Sequence, residues 1–316
     1  MELRRLGRSP LQVPPLCFGC NIFGWTVDEA TSFTLLDGLL EHGINFLDTA
    51  DVYSRWAPGH QGGESEAIIG RWMKARGNRD KIILATKVGM DMGEGRVGLK
   101  AGYVAQAVEA SLKRLQTDYI DLYQSHKDDP ETPQEETLGA YAKLIEAGKV
   151  RVIGASNFSA ERLSEALRLA ETKGLPRYES LQPEYNLYER SVFEGPLEQV
   201  CRENGLGVIP FFSLAAGFLT GKYRSEADYA KSPRGERSIP RYMNERGMKI
   251  LAALDEIAAA KGTEPAAVAL AWLMAKPAVT APIASATSLK QLETLVAATR
   301  LALSPDDMAR LDATGP

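Results

Sequence analysis

Eight short apolar runs, separated by amphipathic stretches, recur along almost the whole chain, and this alternation constrains the fold more than any other feature. The runs lie at 16–19, 45–48, 82–87, 119–123, 150–155, 181–183, 208–212 and 280–284. Their continuous apolar character, rather than strict alternation, suits parallel strands buried on both faces. Helical patterns fill the gaps, among them "DEATSFTLLDGLLEHG", "ESEAIIGRWMKARG", "YVAQAVEASLKRL" and "SAERLSEALRLAETKG", several closed by Gly. Eight strand–helix pairs predict a single α/β domain over 1–316, a (β/α)8 TIM barrel. An open doubly wound sheet is the other arrangement the alternation permits. "LRRLG" and "LQV" around Arg8-Ser9-Pro10 predict an N-terminal β-hairpin capping the barrel floor, and 213–244 predicts a long irregular loop after strand seven.

In such a barrel, chemistry belongs to the C-terminal ends of the strands. Strand two ends in Asp48, with Tyr53 in its loop, and strand three ends in Lys87. Strand four leads through Gln124-Ser125 into His126. The later strands offer Ser156-Asn157, Gln182, Phe212-Ser213 and Ser285. An Asp, a Tyr, a Lys and a His on consecutive strand ends form a concentration of reactive groups that random surface loops seldom provide.

Other chemistries fit less well. A net charge of −4 and a pI near 5.6 argue against nucleic acid as a partner. The N-terminus lacks the apolar core of a signal peptide, and no run of about eighteen apolar residues offers a membrane span, so the expected location is cytoplasmic. Cys17 and Cys20 form a C-x-x-C pair, but no helix start follows to activate a thiol, which predicts structural cysteines. "GEGRVG" at 93–98 matches G-x-G-x-x-G, yet Gly93 stands well past the strand end and Glu94 would face a phosphate, so a flexible loop is expected. Three scattered histidines, His42, His60 and His126, make no metal motif. Lys87 could act as a Schiff-base nucleophile if it were a free amine, whereas a neighbouring Asp48 would keep it charged.

At these residues the chain resembles the aldo-keto reductase superfamily, in the bacterial type related to the potassium-channel β-subunit branch. "LDTADVYSRW", "LATKVG", "DLYQSHKDDPETPQEETLGAYAKLIEAGKVRVIGASNF", "LQPEYNLYER" and "FFSLAAGFLTGKY" carry the resemblance in order over nearly the whole length. It implies a barrel that binds NADP(H) and reduces aldehydes or ketones, with Asp48, Tyr53, Lys87 and His126 as the catalytic set. Tyr53 would be the general acid, its pKa lowered by Lys87; Asp48 would hold Lys87, and His126 would orient the carbonyl. The resemblance assigns Ser156, Asn157 and Gln182 to the nicotinamide carboxamide, Phe212 to ring stacking, Ser213 and Lys222 to pyrophosphate, and Gln291 to adenosine. Ser285, Thr287, Ser288 or Lys290 would meet a 2′-phosphate. Ser285, Thr294 and Leu295 depart from a Gly and a Glu-Asn pair frequent in relatives. The loop at 222–241 is locally basic and suits a dianionic cofactor. Phe23, Trp25 and Trp56 are expected to wall a pocket for an apolar or sugar-like carbonyl substrate. The alternatives are a cofactor-binding regulatory subunit with little turnover and an aldolase using Lys87.

Overall fold

The computed structural model describes residues 1–315. After a two-stranded antiparallel hairpin, β1 (Arg4–Arg5) and β2 (Gln12–Val13), strands and helices alternate. They run β3 (Cys17–Gly19), α1 (Glu29–Glu41), β4 (Phe46–Asp48), α2 (Glu64–Arg76), β5 (Ile83–Val88), α3 (Ala101–Leu115), β6 (Ile120–Ser125), α4 (Gln134–Glu146), β7 (Val150–Ser156), α5 (Ala160–Lys173), β8 (Tyr178–Gln182), α6 (Pro196–Asn204) and β9 (Gly207–Val208). The chain continues through a single turn, α7 (Gly235–Ser238), then α8 (Glu245–Lys261), α9 (Pro265–Ala275), β10 (Ile283–Ala284), α10 (Leu289–Ala298) and α11 (Pro305–Asp312).

The eight strands after the hairpin form one parallel sheet in the order β10-β3-β4-β5-β6-β7-β8-β9. Its two edges meet: Thr280 N donates to Val208 O (2.8 Å) and Ile283 N to Pro210 O (2.9 Å). The result is the expected (β/α)8 barrel, and an open sheet is ruled out.

Helix ends follow ordinary capping chemistry. Asp28, Ser159, Asn244, Ser288 and Ser304 accept backbone N–H groups at N-termini. Gly77, Gly174, Gly205 and Gly262 close helices in the left-handed conformation. Helix α9 is different: Ala266 through Met274 are all buried, so it has no polar face and leaves no amphipathic period to read. No helix among the described residues is long and apolar enough to cross a membrane.

Several strand limits differ from the sequence expectation, and proline explains most of them. Strand β8 begins earlier, at Tyr178, and stops before Pro183. Of the run at 208–212 only Val208 stays in the ladder, joined by Gly207 before it, because Pro210 has no N–H to give, although Ile209 N and Phe211 N still bond to Leu181 O and Pro183 O. Pro282 shortens β10 likewise. Strand β6 instead runs two residues further than expected, to Ser125. The segment 213–244 is less irregular than expected, holding short 3-10 turns at Ala215–Thr220, Glu226–Lys231 and Pro240–Tyr242 besides α7.

The interior is layered. Leu6, Leu11 and Val13 of the hairpin region pack with Cys17, Phe46, Ala85, Leu122, Val152, Ile209, Ala281 and Ile283, plugging the end of the barrel where the strands begin. Gly7 lets the hairpin press on the barrel, since a Cβ there would lie 2.1 Å from Glu179 O. One pleat further along the same strands, where side chains again point inward, stand Gly19, Asp48, Lys87, Gln124, Gly154 and Ser285. A polar layer thus rests directly on an apolar floor.

Candidate active site

Lys87 organises the polar layer. Its Nζ donates to Asp48 Oδ2 (2.6 Å), Thr49 O (2.8 Å) and Tyr53 Oη (2.7 Å), which uses all three donors of an ammonium. Lys87 is 0% exposed and Asp48 1%. The second carboxylate oxygen, Asp48 Oδ1, accepts from Gln124 Nε2 (3.1 Å) and Gln182 Nε2 (3.0 Å). Gln182 Nε2 also lies 3.2 Å from Gln124 Oε1. Strand register makes this possible, because Lys87 pairs with Gln124 and Gln124 with Gly154. A Cβ on Gly154 would come within 2.3 Å of Ser180 Oγ and 3.2 Å of Gln124 Cγ, so glycine opens the room the glutamine occupies.

The turn after β4 delivers Tyr53. Thr49 N and Asp51 N bond to Ala85 O and Lys87 O, tying the turn to the adjacent strand, and Tyr53 N bonds to Ala50 O within the turn. Ser54 holds a left-handed backbone (φ 74°), rare for a residue with a side chain, and its Oγ donates to Phe23 O (2.6 Å) to hold it there. His126 faces Tyr53 with ring centroids 5.9 Å apart and planes at 74°. Asn157, also left-handed (φ 55°), donates from Nδ2 to His126 O (2.9 Å), joining the ends of β6 and β7.

Electrostatics differ from expectation in one respect. Burial pushes the Tyr53 phenol above its ordinary range; the Lys87 ammonium pulls it back, and Asp48 adds to the rise. Lys87 therefore limits an upward shift rather than producing a net downward one. Burial alone would depress the lysine, but Asp48 and Tyr53 together raise it above its usual value, so it remains an ammonium. Burial, then Lys87 and Lys127, holds the His126 imidazole well below its ordinary range, hence neutral. Its Nδ1 is buried without a hydrogen-bond partner.

The residues expected to hold a cofactor lie around the same rim. Ser156 Oγ donates to Gln182 O (2.9 Å), whereas Asn157 and Gln182 use their amide N–H groups on protein acceptors. Their amide oxygens accept no hydrogen bond from the described residues, which suits the NH2 of a carboxamide. Phe212 is 39% exposed with φ 52°, its ring beside Phe211. Ser213 is buried and donates to Pro210 O (3.0 Å). Within the basic loop, Arg224 is bound to Asp255, Lys231 to Asp228 and Arg241 to Glu184. Among the described residues, Lys222, Arg234 and Arg237 have no acidic partner. Arg234 lies over the Trp25 ring, 5.4 Å from its centroid, and Lys222 Nζ lies 5.0 Å from the centroid of Tyr223.

At the last strand, Ser285 Oγ lies 2.6 Å from Gly19 O and 3.0 Å from Asn21 Oδ1, so the barrel itself engages it. Gln291 Oε1 accepts from Thr287 N (2.8 Å), and Ser288 caps α10. Leu295 is buried in the core. Of the three aromatic residues expected to wall a pocket, Trp25 and Trp56 pack edge to face (5.6 Å), with Trp56 47% exposed and 5.9 Å from the Tyr53 ring. Phe23 instead has no exposed surface and packs on Phe18, supporting the turn from below rather than facing solvent.

Competing motifs resolve by position. Cys17 and Cys20 are buried free thiols, and burial together with Asp48 raises both well above the ordinary range, which leaves them inert. The N-terminus of α3, after "GEGRVG", is occupied by the protein's own carboxylates: Asp129 Oδ2 accepts Leu99 N (2.7 Å) and Glu136 Oε1 accepts Ala101 N (2.9 Å). His42 caps α1. No His, Cys, Asp and Glu cluster among the described residues could hold a metal. Gln124 and the Thr49 carbonyl carry no motif signature. The inward position of Gln124, two residues after Leu122 on the same strand, is the one signal that marks it.

The chain has recognisable relatives among known proteins. The family model "Aldo/keto reductase family" matches residues 15–315. An uncharacterized oxidoreductase, YrpG of Bacillus subtilis, is 37% identical over 99% of this chain and 95% of its own length. Protein tas of Escherichia coli is 34% identical over 99% and 97%. The aldo-keto reductase yakc [NADP(+)] of Schizosaccharomyces pombe is 33% identical over 95% and 87%. The chain belongs to the aldo/keto reductase family of oxidoreductases.

Proposed function

We propose that the protein uses NADPH to reduce an aldehyde or ketone to the alcohol, with Tyr53 as the proton donor. The observation that carries this reading is the hydrogen-bonded line from Asp48 through Lys87 to Tyr53 Oη, ending beside His126 at the rim of the barrel. NADPH, when bound, supplies the hydride. Burial keeps the Tyr53 phenol protonated until a substrate oxygen gains electron density beside it. The fixed Lys87 ammonium then stabilises the phenolate left after the proton departs, and the two glutamine amides hold Asp48 against Lys87. Neutral His126 orients the carbonyl as a hydrogen-bond partner rather than as an acid. An aldolase would need a free Lys87 amine, and the raised pKa and three occupied donors work against one.

Lys222, Arg234 and Arg237 are the residues suited to the cofactor's phosphates, and the Asn157 and Gln182 oxygens to its carboxamide. Lys290, exposed at the start of α10 and without an acidic partner among the described residues, favours a 2′-phosphate and so NADPH over NADH; the NADP(+) in the name of yakc points the same way. Trp25 and Trp56 suit an apolar or sugar-like carbonyl compound. The test is a fluorescence titration with NADPH and NADH, followed by oxidation of the bound cofactor across a panel of aldehydes, ketones and sugars. Tighter binding of NADPH and turnover of at least one class support the reading. Binding without any turnover would favour a regulatory subunit, and no binding would remove the cofactor assignment.

A further inference from the structure

Behind the active site lies a cluster of buried ionisable groups that the reaction does not use. Asp51, two residues before Tyr53, is 2% exposed, and neither of its carboxyl oxygens has a hydrogen-bond partner. Its backbone N donates to Lys87 O at 3.3 Å, the longest of the bonds that tie this turn to β5 and to itself. The charged and titratable groups around it come from five elements: Glu66 on α2, Arg114 and Tyr103 on α3, Tyr123 on β6, Lys87 on β5 and Tyr141 on α4. Glu66 is fully buried and already pairs with Arg114, accepting from its Nε (2.6 Å) and from Thr86 Oγ1 (2.6 Å). Lys87 is committed to Asp48 and Tyr53. The Tyr123 hydroxyl is buried without a partner. Asp51 therefore has a carboxylate neighbour and no counter-ion of its own.

We propose that Asp51 is a positioning residue whose protonated carboxyl keeps the Tyr53 turn seated on Lys87, and that its ionisation sets the alkaline limit of turnover. This rests on the reading of Tyr53 as proton donor. A second buried carboxylate beside Glu66, with no donors, is relieved by moving toward water or by competing for Arg114. Either movement strains the long Asp51 N–Lys87 O bond and carries the turn with it. Tyr53 then leaves its 2.7 Å contact with Lys87. Burial first, and Glu66 second, push the Asp51 carboxyl up to about 8, within reach of ordinary assay conditions.

The test is the pH profile of kcat, at saturating NADPH and substrate, for the wild type, Asp51→Asn and Glu66→Gln. In the wild type, kcat breaks downward near pH 8 and then falls about tenfold per unit, as for loss of one essential proton. Asp51→Asn, which cannot ionise, keeps neutral-pH turnover within a few fold and removes that break. Glu66→Gln removes the neighbouring negative charge and frees Arg114, so the Asp51 carboxyl ionises more readily and the break moves to lower pH. An unshifted break in either variant, or a wild-type profile flat through this range, overturns the proposal. Should Asp51→Asn fail to fold, Glu66→Gln and infrared spectroscopy of the wild type decide it: a protonated-carboxyl band must disappear across the same pH interval. Tyr53→Phe in the same series separates the two readings. If it retains turnover, the proton-donor assignment fails, whereas the infrared titration still reports on Asp51.

Discussion

Replacing Lys87 by Met tests the electrostatic centre of the site, because it removes a charge while keeping most of the side-chain volume. Breaking a buried ion pair by deleting one partner typically destabilises by about 3–5 kcal/mol, since the remaining charge is left in a poor solvent. Asp48 keeps two amide donors here, from Gln124 and Gln182, and Tyr53 Oη, now 3.4 Å from Asp48 Oδ2, can close on it. The expected loss of stability is therefore near the lower end, about 3 kcal/mol. Turnover should suffer more. Without the ammonium nothing opposes the rise that burial imposes on the Tyr53 phenol, and the Asp48 carboxylate becomes its nearest charge. Positioned general acid catalysis contributes about 10²–10⁴-fold, so kcat should fall within that range while NADPH binding persists. Urea unfolding reports the first quantity and single-turnover oxidation of NADPH the second. A variant within about tenfold of wild-type kcat, less than about 1.4 kcal/mol of barrier, would refute the assigned role of Lys87.

Further outcomes follow from the same layer. Gly154→Ala places a methyl against Ser180 and Gln124; the overpacking should cost about 1–3 kcal/mol and lower kcat by loosening Gln124, measured by urea unfolding and steady-state kinetics. Asp51→Asn should gain stability relative to the wild type as pH rises. The folded-state carboxyl ionises near 8 rather than at its unfolded value near 4, so the wild type loses stability progressively between those values, by at most about 5 kcal/mol; urea midpoints at acid and mildly alkaline pH check it.

The barrel was legible because parallel strands buried on both faces leave continuous apolar runs, and because Gly closes several of the helices between them. Strand ends were less so. At β6 the chain remains a strand through Gln124 and Ser125, whose polarity is met by buried partners rather than solvent: Asp48 inside the barrel for Gln124, and the Tyr141 and Tyr178 hydroxyls for Ser125. At β9 and β10, prolines interrupt the ladder while the chain stays extended. Helix α9 left no period because every side is covered. In the candidate site, the order and type of Asp48, Tyr53, Lys87 and His126 marked them as a group, and the structure brings them together, whereas Gln124 required the strand register. Asp51 looked like a spacer between Asp48 and Tyr53. Its burial depends on α2 and α3 closing over the turn, and nothing local in the sequence encodes that. Phe23 read as a pocket wall because aromatic type alone does not tell a core ring from a surface one.

Tyr53→Phe tests the central claim most directly, since it deletes one hydroxyl from a ring already held by Trp56, His126 and Lys87. The variant should bind NADPH with unchanged fluorescence titration and consume it at least about 10²-fold more slowly than the wild type with the best carbonyl substrate. Equal rates in the two proteins would contradict the account and move the proton donor elsewhere.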